Sequence, residues 1–157
     1  MHNARVRVTA KVDYAVRAMV ELAAADPGRP VKGEQLASAQ KVPLRFLENI
    51  LADLRHGGLV ASQRGAEGGY WLARPADRIV IADIIRVVEG PLADVRGTRP
   101  DALEYHGAAK SLQEVWIAVR ANLRAVLEAV TLADVATGRL PPVVEELTAD
   151  ADAWQPH

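Results

Sequence analysis

Apolar residues recur along the first half of the chain at helical spacing, then in two short dense runs, then at helical spacing again. Val12, Ala15, Val16, Met19, Val20 and Ala23 share one face of a first predicted helix, which Thr9 can cap and Asp26-Pro27-Gly28 terminate. A shorter helix runs from Lys32 or Gly33 to Gln40 and turns Leu36 and Ala37 inward. Lys41 and Val42 form a turn. Pro43 suits the first turn of a third helix, where its missing N–H is no loss. That helix buries Leu44, Leu47, Ile50, Leu51 and Leu54 and stops at Gly57-Gly58. Leu59 to Gln63 and Tyr70 to Ala73 read as strands around a tip of Arg64, Gly65, Ala66, Glu67, Gly68 and Gly69. Arg74-Pro75 ends the hairpin, and Ile81 to Glu89 forms a fourth helix with Ile84, Ile85 and Val88 inward.

Three helices with a tight turn before the third, followed by a glycine-tipped hairpin, make a winged helix-turn-helix over residues 6–90. Residues 91–110 mix turn formers with charges and read as a loop holding a short helix. Ser111 and Glu114 match a capping box that opens a long helix. Along it Leu112, Val115, Trp116, Val119, Leu123, Val126, Leu127 and Val130 recur at steps of three and four. From Ser111 to Val130 such a helix spans roughly 30 Å at 1.5 Å per residue. Thr131 restarts a short helix, so residues 111–138 form a unit, and the proline- and acid-rich tail at 139–157 is predicted to fray. The fold class is mainly α with a small β-wing.

Composition narrows the chemistry. The chain has 157 residues, half of them hydrophobic, which suits one domain or a small domain with an appendage. It contains no cysteine, which excludes disulfides, thiolate-bound zinc and cysteine nucleophiles. The N-terminus lacks a signal-peptide apolar core, and no apolar run reaches the roughly 20 residues of a membrane span. A soluble cytoplasmic protein is the expectation, with no membrane partner. The net charge of −1 is polarised: residues 1–90 hold 13 Lys/Arg against 10 Asp/Glu, and residues 91–157 hold 6 against 10. The helix-and-hairpin part is therefore the half suited to phosphate. There is no Walker loop, nucleophile elbow or metal motif, so no enzyme is expected.

A helix in the major groove reads bases with side chains near its N-terminal end, here Arg45, Glu48 and Asn49. Arginine can fork onto guanine, asparagine can pair with adenine, and glutamate can accept from the cytosine amino group. The plain alternatives are a solvated charge for Arg45 and a helix-stabilising pair for Glu48. Thr9, Lys11, Lys32, Lys41 and Arg55 are candidate phosphate contacts, against simple solvation. Gly68 and Gly69 would let the tip approach the sugar-phosphate chain, or would serve only as a hairpin turn. A protein-docking module on the same scaffold is the competing function.

Four blocks carry a more specific likeness: VTAKVDYAVRAMVELA, VPLRFLENILADLRHGGLVASQRGAEGGYWLARP, IVIADIIRVVEG and TLADV. Their order and spacing, over about residues 6 to 138, resemble the Rrf-two (Rrf2) family of bacterial winged-helix regulators. That family includes an iron–sulfur biogenesis regulator, a nitric-oxide-sensing repressor and a cysteine-metabolism repressor. The resemblance implies a sequence-specific regulator of double-stranded DNA, a repressor. It also implies a homodimer whose long helices cross, with Leu112, Val115, Trp116, Val119, Leu123, Val126, Leu127 and Val130 at the interface. It further implies that Glu48 reads the operator directly and that Arg64 enters the minor groove.

Cluster-binding relatives carry three cysteines in the loop before the long helix. This chain has Gly97 at the first position and Lys110 near the last, with Gln113 where one relative places a histidine ligand. Asp13 matches an aspartate ligand of the nitric-oxide sensor but has no cysteines to complete a site, so it reads as a helix-surface residue. No iron–sulfur cluster and no other cofactor or metal is expected. His2, His56, His106 and His157 lack ligand spacing; His106 with Asp101 and Glu104 reads as exposed loop polarity rather than a metal site. Trp71 and Trp116 suit core packing, with an effector pocket as the alternative. A small-molecule effector, a partner protein or control by abundance all remain open as inputs.

Overall fold

The computed structural model describes residues 7–157, so residue 6 and His2 lie outside it. Thr9 starts α1 (Ala10–Ala24) as its side chain allows: the hydroxyl accepts the Val12 N–H at 3.2 Å. Val12, Ala15, Ala18, Met19 and Leu22 are buried, whereas Val16, Val20 and Ala23 only flank the core. The inward face of α1 is thus turned slightly from the one the spacing suggests. α2 (Gly33–Gln40) ends at Lys41 and leads through Val42 and Pro43 into α3 (Leu44–His56). β1 (Val60–Gln63) and β2 (Gly69–Leu72) pair antiparallel, Val60 opposite Leu72 and Gln63 opposite Gly69. The ladder therefore sits one residue off the expected strands. Leu59 lies beneath it, 1% exposed, and Gly69 joins it because Tyr70 exchanges two 2.8 Å hydrogen bonds with Val31. A short 3-10 turn, Ala76–Arg78, precedes α4 (Ile81–Val88), where Ile84 and Val88 are buried and Ile85 is half-buried.

Beyond α4 the chain departs from expectation. α5 spans Leu112–Leu127, 16 residues, roughly 24 Å rather than 30 Å. Its expected capping box does not form: Ser111 sits at φ −79°, ψ −3° and its side chain caps nothing. The 3-10 turn at Gly107–Ala109 runs directly into the helix, so Ser111 never takes the extended conformation a capping residue needs. Val130 lies beyond the helix end and is buried within its own chain. There its carbonyl accepts the Ile81 N–H at 3.0 Å and its neighbour Thr131 pairs with Val80.

The return of the chain at Val130 changes the domain map. Thr131 and Asp134 form the reciprocal cap of α6 (Leu132–Thr137), which packs across α1 and places Leu132, 0% exposed, in the winged-helix core. The residue 6–90 unit therefore borrows α6. The tail also forms structure instead of fraying: α7 (Pro142–Ala149) follows Pro141, and a 3-10 turn covers Ala151–Trp154. Proline at a first helical position starts a helix because no intrahelical partner awaits its N–H. The Trp154 indole N–H donates to the Thr148 carbonyl at 2.7 Å and folds the turn back on α7. No helix among the described residues is long and apolar enough to cross a membrane.

Candidate nucleic-acid interface

α3 divides cleanly into two faces. Leu47, Leu51 and Leu54 are 0% exposed and Ile50 3%. Each such burial stabilises the fold by about 1.5–3 kcal/mol. With that row fixed against α1 and α2, helical geometry turns Arg45, Glu48 and Asn49 to solvent, and all three are exposed. The turn into α3 carries an unusual residue. Lys41 adopts φ 54°, ψ 47°, a left-handed conformation that normally falls to glycine. Its side chain is exposed, and among the described residues it makes no ion pair. Phe46, which the helical spacing of the inner face leaves out, is 63% exposed on this helix.

The wing stands beside α3, its tip presenting Arg64, Gly65, Ala66 and Glu67 to solvent. Gly68 and Gly69 are buried at its base and are not available for backbone approach to DNA. Each is required by local crowding. A Cβ on Gly68 would lie 2.0 Å from the Gln63 carbonyl oxygen, and one on Gly69 2.6 Å from that of Val31. Gly69 also has φ 151°. The Lys32 ammonium donates to the Gly65 carbonyl at 2.6 Å and ties the tip to the start of α2.

Other expected phosphate contacts are partly engaged. The Thr9 hydroxyl, besides capping α1, donates to the Glu89 carboxylate at 2.7 Å. Lys11 pairs with Asp53 at 3.1 Å, which neutralises a carboxylate on the outer side of α3. Arg55 reaches the Ser62 hydroxyl at 3.5 Å, the outer limit of a hydrogen bond. Asp13 forms an ion pair with Arg17 at 3.0 Å, one turn along α1. The exposed cations of this surface without an ion-pair partner, among the described residues, include Lys41, Arg45 and Arg64.

α5 is a different kind of surface. None of its residues is buried: Val115 is 51% exposed, and Leu112, Trp116, Val119, Leu123, Val126 and Leu127 are half-buried. Polar contacts hold it to its own chain. The Gln113 amide nitrogen donates to the carbonyl of Leu103 at 2.8 Å, with those of Pro100 and Asp101 at 3.3 and 3.4 Å. The Trp116 indole donates to the Tyr105 hydroxyl at 2.9 Å, and Arg120 pairs with Asp101 at 2.7 Å. The hydrogen bond from Arg120 holds the Asp101 carboxyl below its ordinary value, helped by its own backbone N–H and by Arg99. At the other end Glu128 bridges Arg86 of α4 at 2.6 Å and Arg124 at 3.0 Å, and those hydrogen bonds lower its pKa in the same way, Arg86 first. His106 is exposed in this loop, and the carboxylate of Asp101 is occupied by Arg120.

Comparison with known proteins places this architecture. The family model described as Rrf2, iron-dependent transcriptional regulator, matches residues 8–138. A Mycobacterium tuberculosis protein named as an HTH-type transcriptional regulator is 52% identical over 150 residues, covering 96% of this chain and 93% of its own. The transcriptional regulator CymR of Bacillus subtilis is 36% identical over 132 residues, 84% of this chain and 91% of its own. Its solved structure, described as that of the global cysteine regulator, aligns with a TM-score of 0.73 over 85% of this chain and 98% of that one. IscR of T. potens aligns with a TM-score of 0.69 at 33% identity, over 96% and 97% of the two chains. The match takes in both the helix-and-wing surface and the α5 stripe, and the chain belongs to the Rrf2 family of DNA-binding transcriptional regulators.

Proposed function

We propose that the protein is a homodimeric, sequence-specific repressor that reads a two-fold operator through α3 and the wing and carries no iron–sulfur cluster. The observation that carries the reading is the outward face of α3, where Arg45, Glu48 and Asn49 stand exposed over a fully buried leucine row. Those three side chains have the donors and acceptors that distinguish base pairs in the major groove. Arg64 on the exposed wing tip suits the narrow, electronegative minor groove. Lys41, held in a left-handed turn where glycine would be easier, places a free cation at the phosphate side of α3.

The dimer follows from α5. A helix of 16 residues with an apolar stripe and no buried residue is stable when a second surface covers the stripe. A second copy, related by a two-fold axis, supplies the same stripe to itself. Where its operator overlaps a promoter, such a dimer excludes polymerase, and repression is the outcome proposed. Nothing in this reading calls for a catalytic group.

The residues present do not fit an iron–sulfur cluster, although the family description mentions iron dependence. The chain has no thiolate to offer. Gln113 directs its amide protons at backbone carbonyls, and Asp13 is engaged by Arg17. The loop before α5 is tied to the helix by hydrogen bonds from Gln113 and Trp116. The signal sensed is then a small molecule, a partner protein or the abundance of the regulator itself.

Selection of bound sequences from a random duplex pool, followed by fluorescence anisotropy, tests the function. The selected duplex is expected to bind about a thousandfold or more tighter than random duplex at the same salt. Equal affinity for both would end the specific-regulator reading. Iron and acid-labile sulfide at stoichiometric levels in anaerobically purified protein would end the cluster-free part.

A further inference from the structure

Phe46 is the one large apolar residue that α3 leaves exposed, at 63%. At about 100° per residue, the outward side chains cross the helix in the order Glu48, Arg45, Asn49, Phe46, with Phe46 roughly 60° beyond Asn49. The ring thus stands at the edge of the set proposed to read bases, on the side where Asp53 is held by Lys11. A protein-docking patch needs contiguous apolar area, and a single ring among charged and amide side chains does not supply it. In the major groove one apolar group marks a base edge, the C5-methyl of thymine.

We propose that Phe46 packs against a thymine C5-methyl in each half-site and so specifies thymine at one operator position. The inference rests on α3 being the groove-reading helix. It assigns an apolar contact to the thymine methyl, the one major-groove group that Arg45, Glu48 and Asn49 cannot hydrogen-bond. The burial it creates is formed only on DNA, which accounts for a phenyl ring left in water on an otherwise polar face.

The test replaces each thymine of the selected operator in turn by deoxyuridine, which removes the methyl and leaves every hydrogen-bonding group in place. One position per half-site is expected to weaken wild-type binding by about three- to fivefold, the worth of one buried methyl. The Phe46→Ala variant should bind the thymine and uracil duplexes equally at that position, and Phe46→Leu should retain part of the difference. Because the ring is exposed, both variants should keep the wild-type melting temperature and sedimentation coefficient. If wild type prefers the selected operator yet no uracil replacement matters, or if Phe46→Ala loses as much as wild type, the assignment of Phe46 is overturned alone. A shift of Phe46→Ala toward monomer would overturn it too, by making the ring a contact between copies. Loss of all preference for the selected operator by wild type would instead remove the groove-reading premise.

Discussion

Helices α3 and α5 carry the same kind of apolar repeat, and only one of them is covered by its own chain. In α3 the leucine row is sealed against α1 and α2, so the opposite face is free to be polar and specific. In α5 the row stays half open, and polar bonds from Gln113, Trp116, Arg120 and Glu128 fix its position without closing it. An apolar stripe therefore says that something covers a helix but not what. The cover is decided by the neighbouring elements: α1 and α2 pack against α3, whereas α4 and α7 only graze α5.

The largest expected effect breaks the sealed side. Leu51→Ala removes a side chain with no exposure and should cost about 2–5 kcal/mol in urea denaturation, with DNA binding lost in proportion to the unfolded fraction. The paired substitutions Val115→Glu and Leu123→Glu probe the open side. Sedimentation should show monomers whose circular dichroism is little changed, and operator affinity should fall about a hundredfold or more as the second half-site is lost. An unchanged sedimentation coefficient would show that α5 is not where two copies meet.

Smaller effects belong to the polar face of α3 and the wing. Glu48→Ala and Arg64→Ala should each change affinity for the selected operator by about 1–3 kcal/mol while leaving random duplex nearly unaffected. Lys41→Gly should give two opposite signs. Relief of the left-handed turn should raise stability by about 1 kcal/mol. Loss of the cation should weaken all duplexes and reduce the salt slope by about one. The smallest effect is at the loop on α5. Because Arg120 lowers the Asp101 pKa, its contribution is present above the ordinary aspartate value and is lost as pH falls below it. Hydrogen-exchange protection at residues 99–106, measured against the intrinsic rate at each pH, should fall in that acidic window, and Asp101→Asn should remove that change.

Much of α3 and the wing was legible in the sequence because local chemistry decides it. Pro43 and Gly57-Gly58 bound the helix, and its spacing identifies the buried row of Leu47, Ile50, Leu51 and Leu54, while Leu44, expected in that row, is only half-buried at the helix start. The glycines were visible, but their purpose was not. That Gly69 sits against the Val31 carbonyl depends on a strand bridge between Val31 and Tyr70, far apart in sequence, whereas Gly68 meets the Gln63 carbonyl within its own hairpin. Pairings such as Lys32 with Gly65 and Lys11 with Asp53 were hidden for the same reason. The end of α5 is not legible because Val130 continues the apolar spacing while answering to Ile81 rather than to the helix. Phe46 does not follow the helical spacing of the inner face, and its signal in the sequence is that it breaks that pattern.

Hydroxyl-radical footprinting of the wild-type protein on its selected operator reads the symmetry of the bound dimer. Two α3 faces related by an α5 dimer predict two equivalent protected patches, one helical turn or a multiple apart, symmetric about their midpoint. A single unsymmetrical patch, or uniform protection along the duplex, would contradict the account.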